Sequence, residues 1–182
     1  TIIDPNGDMT RAEMAAIINR SFGCYKQADI SQYKDVAKSK WYYKDVALAV
    51  QMGTYNGRSN TAMAPDAPIT RQEAMTVVAR ALELDYDSYS KTELAQFSDA
   101  GKISTWALPY VRAMVGADYI HGRGKILAPQ DNITRAEFAQ IFANIIGTYI
   151  VSKGSYPEAT VPFYTYDWAA SNRSNRYFYD LY

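Results

Sequence analysis

Apolar residues recur with one spacing at three places along the chain. Met14, Ile17, Ile18 and Phe22 form the first set, Ala74, Val77, Val78 and Leu82 the second, and Phe138, Ile141, Phe142 and Ile146 the third. Steps of three and four residues put each set on one face of an α-helix. Each set follows a near-identical tetrapeptide: Thr10-Arg11-Ala12-Glu13, Thr70-Arg71-Gln72-Glu73 and Thr134-Arg135-Ala136-Glu137. The offsets are 60 (70 − 10) and 64 (134 − 70). A threonine followed three residues later by glutamate is a capping box, in which hydroxyl and carboxylate satisfy backbone N–H groups that a helix start leaves orphaned. Helices are therefore expected to begin near Thr10, Thr70 and Thr134. A proline lies five residues before each threonine (Pro5, Pro65, Pro129), and an apolar residue (Met9, Ile69, Ile133) directly before it.

A second unit alternates with the first. Tyr33-Lys34-Asp35 precedes Trp41, and Phe97-Ser98-Asp99 precedes Trp106. A helix is expected to begin near each tryptophan and to run through Val46 and Ala49, or Val111 and Met114, with Gly53 and Gly116 as glycine stops. The stretches Tyr55-Asn56-Gly57-Arg58 and Ile120-His121-Gly122-Arg123 lead back to the prolines. The chain thus divides into residues 1–27 (the second half of a first repeat), 28–90 (a second), 91–150 (a third) and a tyrosine-rich tail, 151–182. In the tail, Phe163, Asp167, Trp168 and Ala169 resemble a repeat start, although Ser171-Asn172-Arg173-Ser174-Asn175 interrupts the helical pattern. The tail is a candidate to complete the first repeat. A half-repeat standing alone would expose Met14, Ile17, Ile18 and Phe22.

Composition narrows the function. Nineteen basic and nineteen acidic residues give zero formal charge, so no broad field draws the chain to nucleic acid. The longest apolar run, near 141–151, is broken by Asn144 and Gly147 and is too short to enter and span a bilayer. No charged and then apolar leader opens the chain, which reads as a mature or trimmed segment. One histidine and one cysteine, His121 and Cys24, provide no metal site of His and Cys ligands and no internal disulfide, and nothing in their spacing supports a catalytic pair. No cofactor is implied. Asp4-Pro5-Asn6-Gly7-Asp8 resembles a calcium loop, but Met9 stands at that motif's glycine and Ala15 at its bidentate acid, so a turn is expected.

The order aromatic-x-Asp, tryptophan helix, glycines, proline and then Ile133-Thr134-Arg135-Ala136-Glu137 resembles the S-layer homology family over residues 1–147, with Met9 and Gln72 as departures. The resemblance implies an all-α fold: tandem helix-loop-helix repeats in a pseudo-threefold, three-pronged domain around a central three-helix bundle. It also implies an extracellular, non-catalytic module of the bacterial cell wall or S-layer. Its partner would be secondary cell-wall polysaccharide, in some cases pyruvylated, or another peptidoglycan-linked polymer, bound in grooves between the prongs. The alternative is a structural protomer of an S-layer or filament that self-associates through this fold and the tail.

Candidate glycan-binding residues follow from the repeats. Arg11, Arg71 and Arg135 would occupy first helical positions, where the macrodipole disfavours a cation. Their recurrence there fits two roles: a planar fork that, beside unpaired helix N–H groups, holds an acidic group of the polymer, or a bridge to an acid on a neighbouring repeat. On the first reading, Arg71 and Arg135 lie at groove rims. Trp41 and Trp106 either stack on sugar rings or anchor small cores. Gly57 and Gly122 either admit a ligand close to the backbone or satisfy a turn. The three glutamates could suggest a glycosidase, but catalysis requires two acids in unlike environments, whereas capping boxes place equivalent ones in every repeat.

Overall fold

The computed structural model describes residues 4–22 and 26–149. Cys24, and with it any Cys24–His121 pairing, lies outside the described residues, as do the 151–182 tail and the side chain of Ile146. Five α-helices are described: α1 (Arg11–Phe22), α2 (Tyr43–Gln51), α3 (Arg71–Ala81), α4 (Leu108–Gly116) and α5 (Arg135–Tyr149). Three short 3-10 turns, Tyr86–Ser88, Lys91–Leu94 and Ala100–Lys102, lie between α3 and α4. The fold is all-α, and the only β pairing among the described residues is in isolated bridges.

The capping boxes start α1, α3 and α5. In each, the glutamate N–H donates to the threonine hydroxyl, at 3.2, 3.4 and 3.2 Å for Glu13, Glu73 and Glu137. The threonine N–H donates back to that glutamate's carboxylate at 2.9, 2.8 and 3.1 Å. The other two helices start two residues past their tryptophans, at Tyr43 and Leu108. Gly53, at φ +72°, makes the left-handed turn that ends α2. Gly116 does not do the same for α4. It is that helix's last residue, and Asp118 takes the left-handed conformation instead, at φ +62°. Gly116 is small for another reason: a Cβ there would lie 2.3 Å from the Tyr89 ring.

Packing pairs helices across repeats. α1 packs against α2, and α3 against α4, so each prong joins the second helix of one repeat to the first helix of the next. Met14, Ile18 and Phe22 are consequently buried and Ile17 is half-buried against the core. The apolar face expected to be exposed on a half-repeat standing alone is therefore buried in the core. Burial of each such side chain contributes about 1.5–3 kcal/mol.

The three repeats close into a ring through the residues just before the threonines. The Met9 N–H donates to the Ile133 carbonyl, that of Ile133 to Ile69, and that of Ile69 to Met9, at 3.0, 3.0 and 2.9 Å. The side chains of these three residues fill the centre, with Ile69 and Ile133 fully buried. The same cyclic order continues into the helices. Arg11 N–H donates to Ala67, Arg71 N–H to Asp131 and Arg135 N–H to Gly7, at 3.0, 2.8 and 3.1 Å, while Ala12, Gln72 and Ala136 donate to Pro65, Pro129 and Pro5. The residues around Asp4-Pro5-Asn6-Gly7-Asp8 thus serve as a turn in this ring, with the Gly7 N–H donating to the Asp4 carbonyl.

The aromatic-x-Asp aspartates hold the turns that feed the ring. Ala64 and Ala128 take left-handed φ values of +53° and +51°, a conformation that costs a non-glycine residue roughly 1–3 kcal/mol. Asp35 accepts N–H bonds from Met63 and Ala64 at 2.9 and 2.6 Å, and Asp99 from Leu127 and Ala128, both at 2.8 Å. At Asp99, burial pushes the carboxyl up, but these two amides outweigh it and hold it below its ordinary range. Gln72, where the other copies have alanine, accepts the Ser104 N–H at 2.9 Å and donates to the Ser104 hydroxyl at 3.0 Å.

Candidate functional site

Cyclic closure decides where the repeated arginines go. Each reaches the capping-box glutamate of another repeat: Arg11 to Glu73 at 3.1 Å, Arg71 to Glu137 at 3.0 Å, and Arg135 to Glu13. Arg11 and Arg71 are each only 5% exposed, and each turns its Nε inward, to the carbonyl of Met63 or of Leu127 at 2.9 Å. Arg11 also donates to the Asn56 carbonyl at 2.9 Å and lies over the buried Tyr55 ring. The helix N–H groups beside these arginines are not unpaired, because carbonyls of the neighbouring repeat occupy them. Burial depresses the Arg71 guanidinium from its ordinary value, and the Glu137 carboxylate opposes that shift. For Glu137 itself, burial raises the carboxyl, but the Thr134 amide with Arg123 and Arg71 brings it below its ordinary range. Glu13 behaves alike: burial is outweighed by Arg135 and Thr10.

Two grooves are built on these braces. The larger, about 490 Å³, has Arg11, Asn56, Gly57, Arg58, Glu73 and Arg80 in its walls, with Trp106 from the next repeat. Trp106 is 50% exposed, so it presents an aromatic face and does not anchor a core. Arg58 reaches in from the loop after α2, donating to the Pro68 carbonyl at 3.1 Å and pairing loosely with Glu73 at 3.4 Å. Arg80 stacks on Tyr110 at 4.8 Å and has no carboxylate partner among the described residues. Three guanidinium groups against one carboxylate leave two positive charges in excess (3 − 1), which favours an anionic guest.

The second groove, about 120 Å³, is the same construction one repeat later, with Arg71, His121, Gly122, Arg123 and Glu137. Here Arg123 is held by Glu137 at 2.7 Å and by Asp131 at 2.9 Å. The site is smaller and its cations are more fully neutralised.

The remaining candidates are placed differently. Arg135 lines neither groove; of the three box arginines, Arg11 and Arg71 stand in the groove walls. Trp41 is 61% exposed but stands apart from both grooves, edge-on to Tyr42 at 5.4 Å. Gly57 and Gly122 lie in the two walls, where each also meets the aromatic of its own aromatic-x-Asp unit. An added Cβ would approach Tyr33 to 2.4 Å and Phe97 to 2.5 Å. Sequence reasoning did not single out Arg58, Arg80 or Asn56. Arg58 and Arg123 were visible as a repeated Gly-Arg pair, and Arg80 falls on the same helical face as Glu73, Thr76 and Val77.

Residues 32–75 and 96–139 match the family model described as S-layer homology domain. The chain is 33% identical over 147 residues to the Surface-layer 125 kDa protein of Lysinibacillus sphaericus, covering 79% of this chain and 12% of that protein. It is 30% identical over 149 residues to an Amylopullulanase of Thermoanaerobacterium thermosulfurigenes and to Exoglucanase XynX of Acetivibrio thermocellus, covering 80% of this chain in both. It spans 8% and 14% of those two proteins.

Proposed function

Because this chain belongs to the S-layer homology family, whose domains anchor proteins to the cell wall, we propose that it is a non-catalytic anchoring module that grips an acidic secondary cell-wall polysaccharide in the groove between Arg58, Arg80 and Trp106. Its place is the bacterial cell surface, in association with the wall. A segment shared by a surface-layer protein and two differently named carbohydrases carries what those proteins have in common, which is not hydrolysis. The observation that carries the binding site is the larger groove's combination of two excess positive charges with an exposed indole. Carboxylates on the polymer, such as pyruvyl substituents, suit the guanidinium groups of Arg58 and Arg80 through charge-assisted bonds, while Trp106 offers a flat face to a sugar ring. Asn56 and Gly57 form the backbone wall. Arg11 positions Asn56 and Glu73 from beneath, and Arg71 does the like for the smaller groove, which serves as a weaker second site. Trp41 and Arg135 line neither of these grooves and are offered as further polymer contacts, with the repeats taken to divide at residues 28 and 91.

The test is titration of the full chain with acidic wall-polysaccharide fragments at two salt concentrations. Arg58→Ala with Arg80→Ala should abolish most binding and its salt dependence while leaving the far-UV circular dichroism intact, and Trp106→Ala should weaken binding at both salts. A folded double arginine variant that binds like the parent would remove this groove from the proposal. Self-association as an S-layer protomer would then lead.

A further inference from the structure

Among the described residues, Arg80 is held by a ring and not by an acid. It stands in the last turn of α3, where the helix dipole favours a cation, and shares the wall of the larger groove with Trp106. Its guanidinium lies over the Tyr110 ring, 4.8 Å from the centroid. Tyr110, in the first turn of α4, is itself braced. Tyr86 meets it edge-on at 5.3 Å, and Arg112 pins the Tyr86–Ser88 turn by donating to the Tyr86 carbonyl at 2.9 Å.

The fold does not require this stack. Offsets of 60 between the first two boxes (70 − 10) and 65 between the tryptophans (106 − 41) put Arg20 (80 − 60) and Asp45 (110 − 65) at the same places in the first prong. There α1 and α2 pack with Asn19 donating to the Asp45 carbonyl and carboxylate at 2.8 and 3.2 Å. In the smaller groove Asn144 stands in place of Arg80 and donates to the Tyr119 carbonyl at 3.0 Å. An arginine loses rotamer freedom when a ligand fixes it, and a guanidinium already laid on a ring has less left to lose. Stacking occupies a face of the guanidinium and leaves the N–H donors at its edge to a ligand, in the plane that a carboxylate needs.

We propose that Tyr110, seated on Tyr86, is a positioning residue of the larger groove: it holds the Arg80 fork oriented for a carboxylate of the bound polymer. This role rests on the anchoring function proposed above.

The experiment is a double-mutant cycle on the full chain, titrated with acidic wall-polysaccharide fragments at two salt concentrations, with folding checked by far-UV circular dichroism. Tyr110→Leu should weaken binding about three- to tenfold yet keep its salt dependence, because the guanidinium charge remains; Arg80→Ala should reduce both. In the Arg80→Ala background, Tyr110→Leu should change little. Tyr110→Phe, which keeps the ring, should bind like the parent. The same cycle run with Tyr86→Ala, at an exposed position, should show a smaller loss that also needs Arg80, and it reads the role if Tyr110→Leu does not fold. The role is overturned if the folded variants bind like the parent, if they lose as much without Arg80 as with it, or if Tyr110→Phe fails as leucine does. A parent that binds no fragment is a different result, which removes the anchoring function and this role with it.

Discussion

Replacing Arg71 with alanine separates the frame from the site. Its side chain is 6% exposed, and its guanidinium donates to the carbonyl of the fully buried Leu127 at 2.9 Å and pairs with Glu137 at 3.0 Å. Alanine removes the arginine donor from the Leu127 carbonyl, a loss of about 1–3 kcal/mol. It also removes the packed arginine stem, about 1 kcal/mol more. Glu137 keeps Arg123 as a partner, so the lost ion pair itself adds less than about 1 kcal/mol. The expected loss is about 3 kcal/mol, a large share of a small domain's stability. Arg71→Lys should fall between parent and alanine, since a single ammonium cannot match both partners of the planar fork. Arg123→Ala touches the same carboxylate from the exposed side and should cost no more than about 1 kcal/mol. Urea unfolding followed by circular dichroism at neutral pH gives all three values. If Arg71→Ala lies within about 0.5 kcal/mol of the parent, or Arg123→Ala costs more than Arg71→Ala, the interlocking of repeats through buried arginines is refuted.

Thr70→Ala and Thr134→Ala each remove a cap and should lower stability by about 1 kcal/mol in the same assay, without altering the affinity of the folded protein for wall polysaccharide. Gly122→Ala should cost more than Gly124→Ala: both residues are left-handed, at +74° and +66°, but only Gly122 would drive a Cβ into Phe97, adding roughly 1–3 kcal/mol of overpacking. Acid should weaken the fold. The Glu13 and Glu137 carboxyls lie below the ordinary 4.5 in the folded chain, so their contribution is present above that value and is lost as pH falls through the depressed ones. Stability measured from about pH 6 down to about pH 3 should decline, and Glu137→Gln should flatten the decline.

Local order was legible in the sequence because capping boxes and apolar spacing act over a few residues, and Thr10, Thr70 and Thr134 mark three helix starts to the residue. Partners across repeats were not legible. Nothing in the spacing around Arg11 says that its acid is Glu73 and not the Glu13 beside it, because that choice follows from which carbonyl receives the Ile69 N–H. The same blindness hid the burial of Ile18 and Phe22, which depends on contacts between elements distant in sequence. Gly116 looked like a helix stop because glycine most often serves there. Its neighbour Tyr89 arrives from an irregular segment that leaves no periodic trace. The exposure of Trp106 depended on the relative placement of prongs, so its two roles could be separated only in three dimensions.

The frame and the groove make opposite demands on a repeat, and the sequence divides them by position. The threonine, arginine and glutamate of each box bond to the ring or to each other. A ligand that needs an acidic group held strongly cannot draw on them without loosening the closure of the repeats. The groove therefore has to take its free charge from arginines outside the boxes. At the site of Arg80 the third repeat has Asn144, and where Arg58 has only Glu73 to share among the described residues, Arg123 is held by both Asp131 and Glu137. The threefold frame thus carries unequal grooves, and on the proposed function affinity for an anionic polymer concentrates in the one whose arginines the frame does not consume.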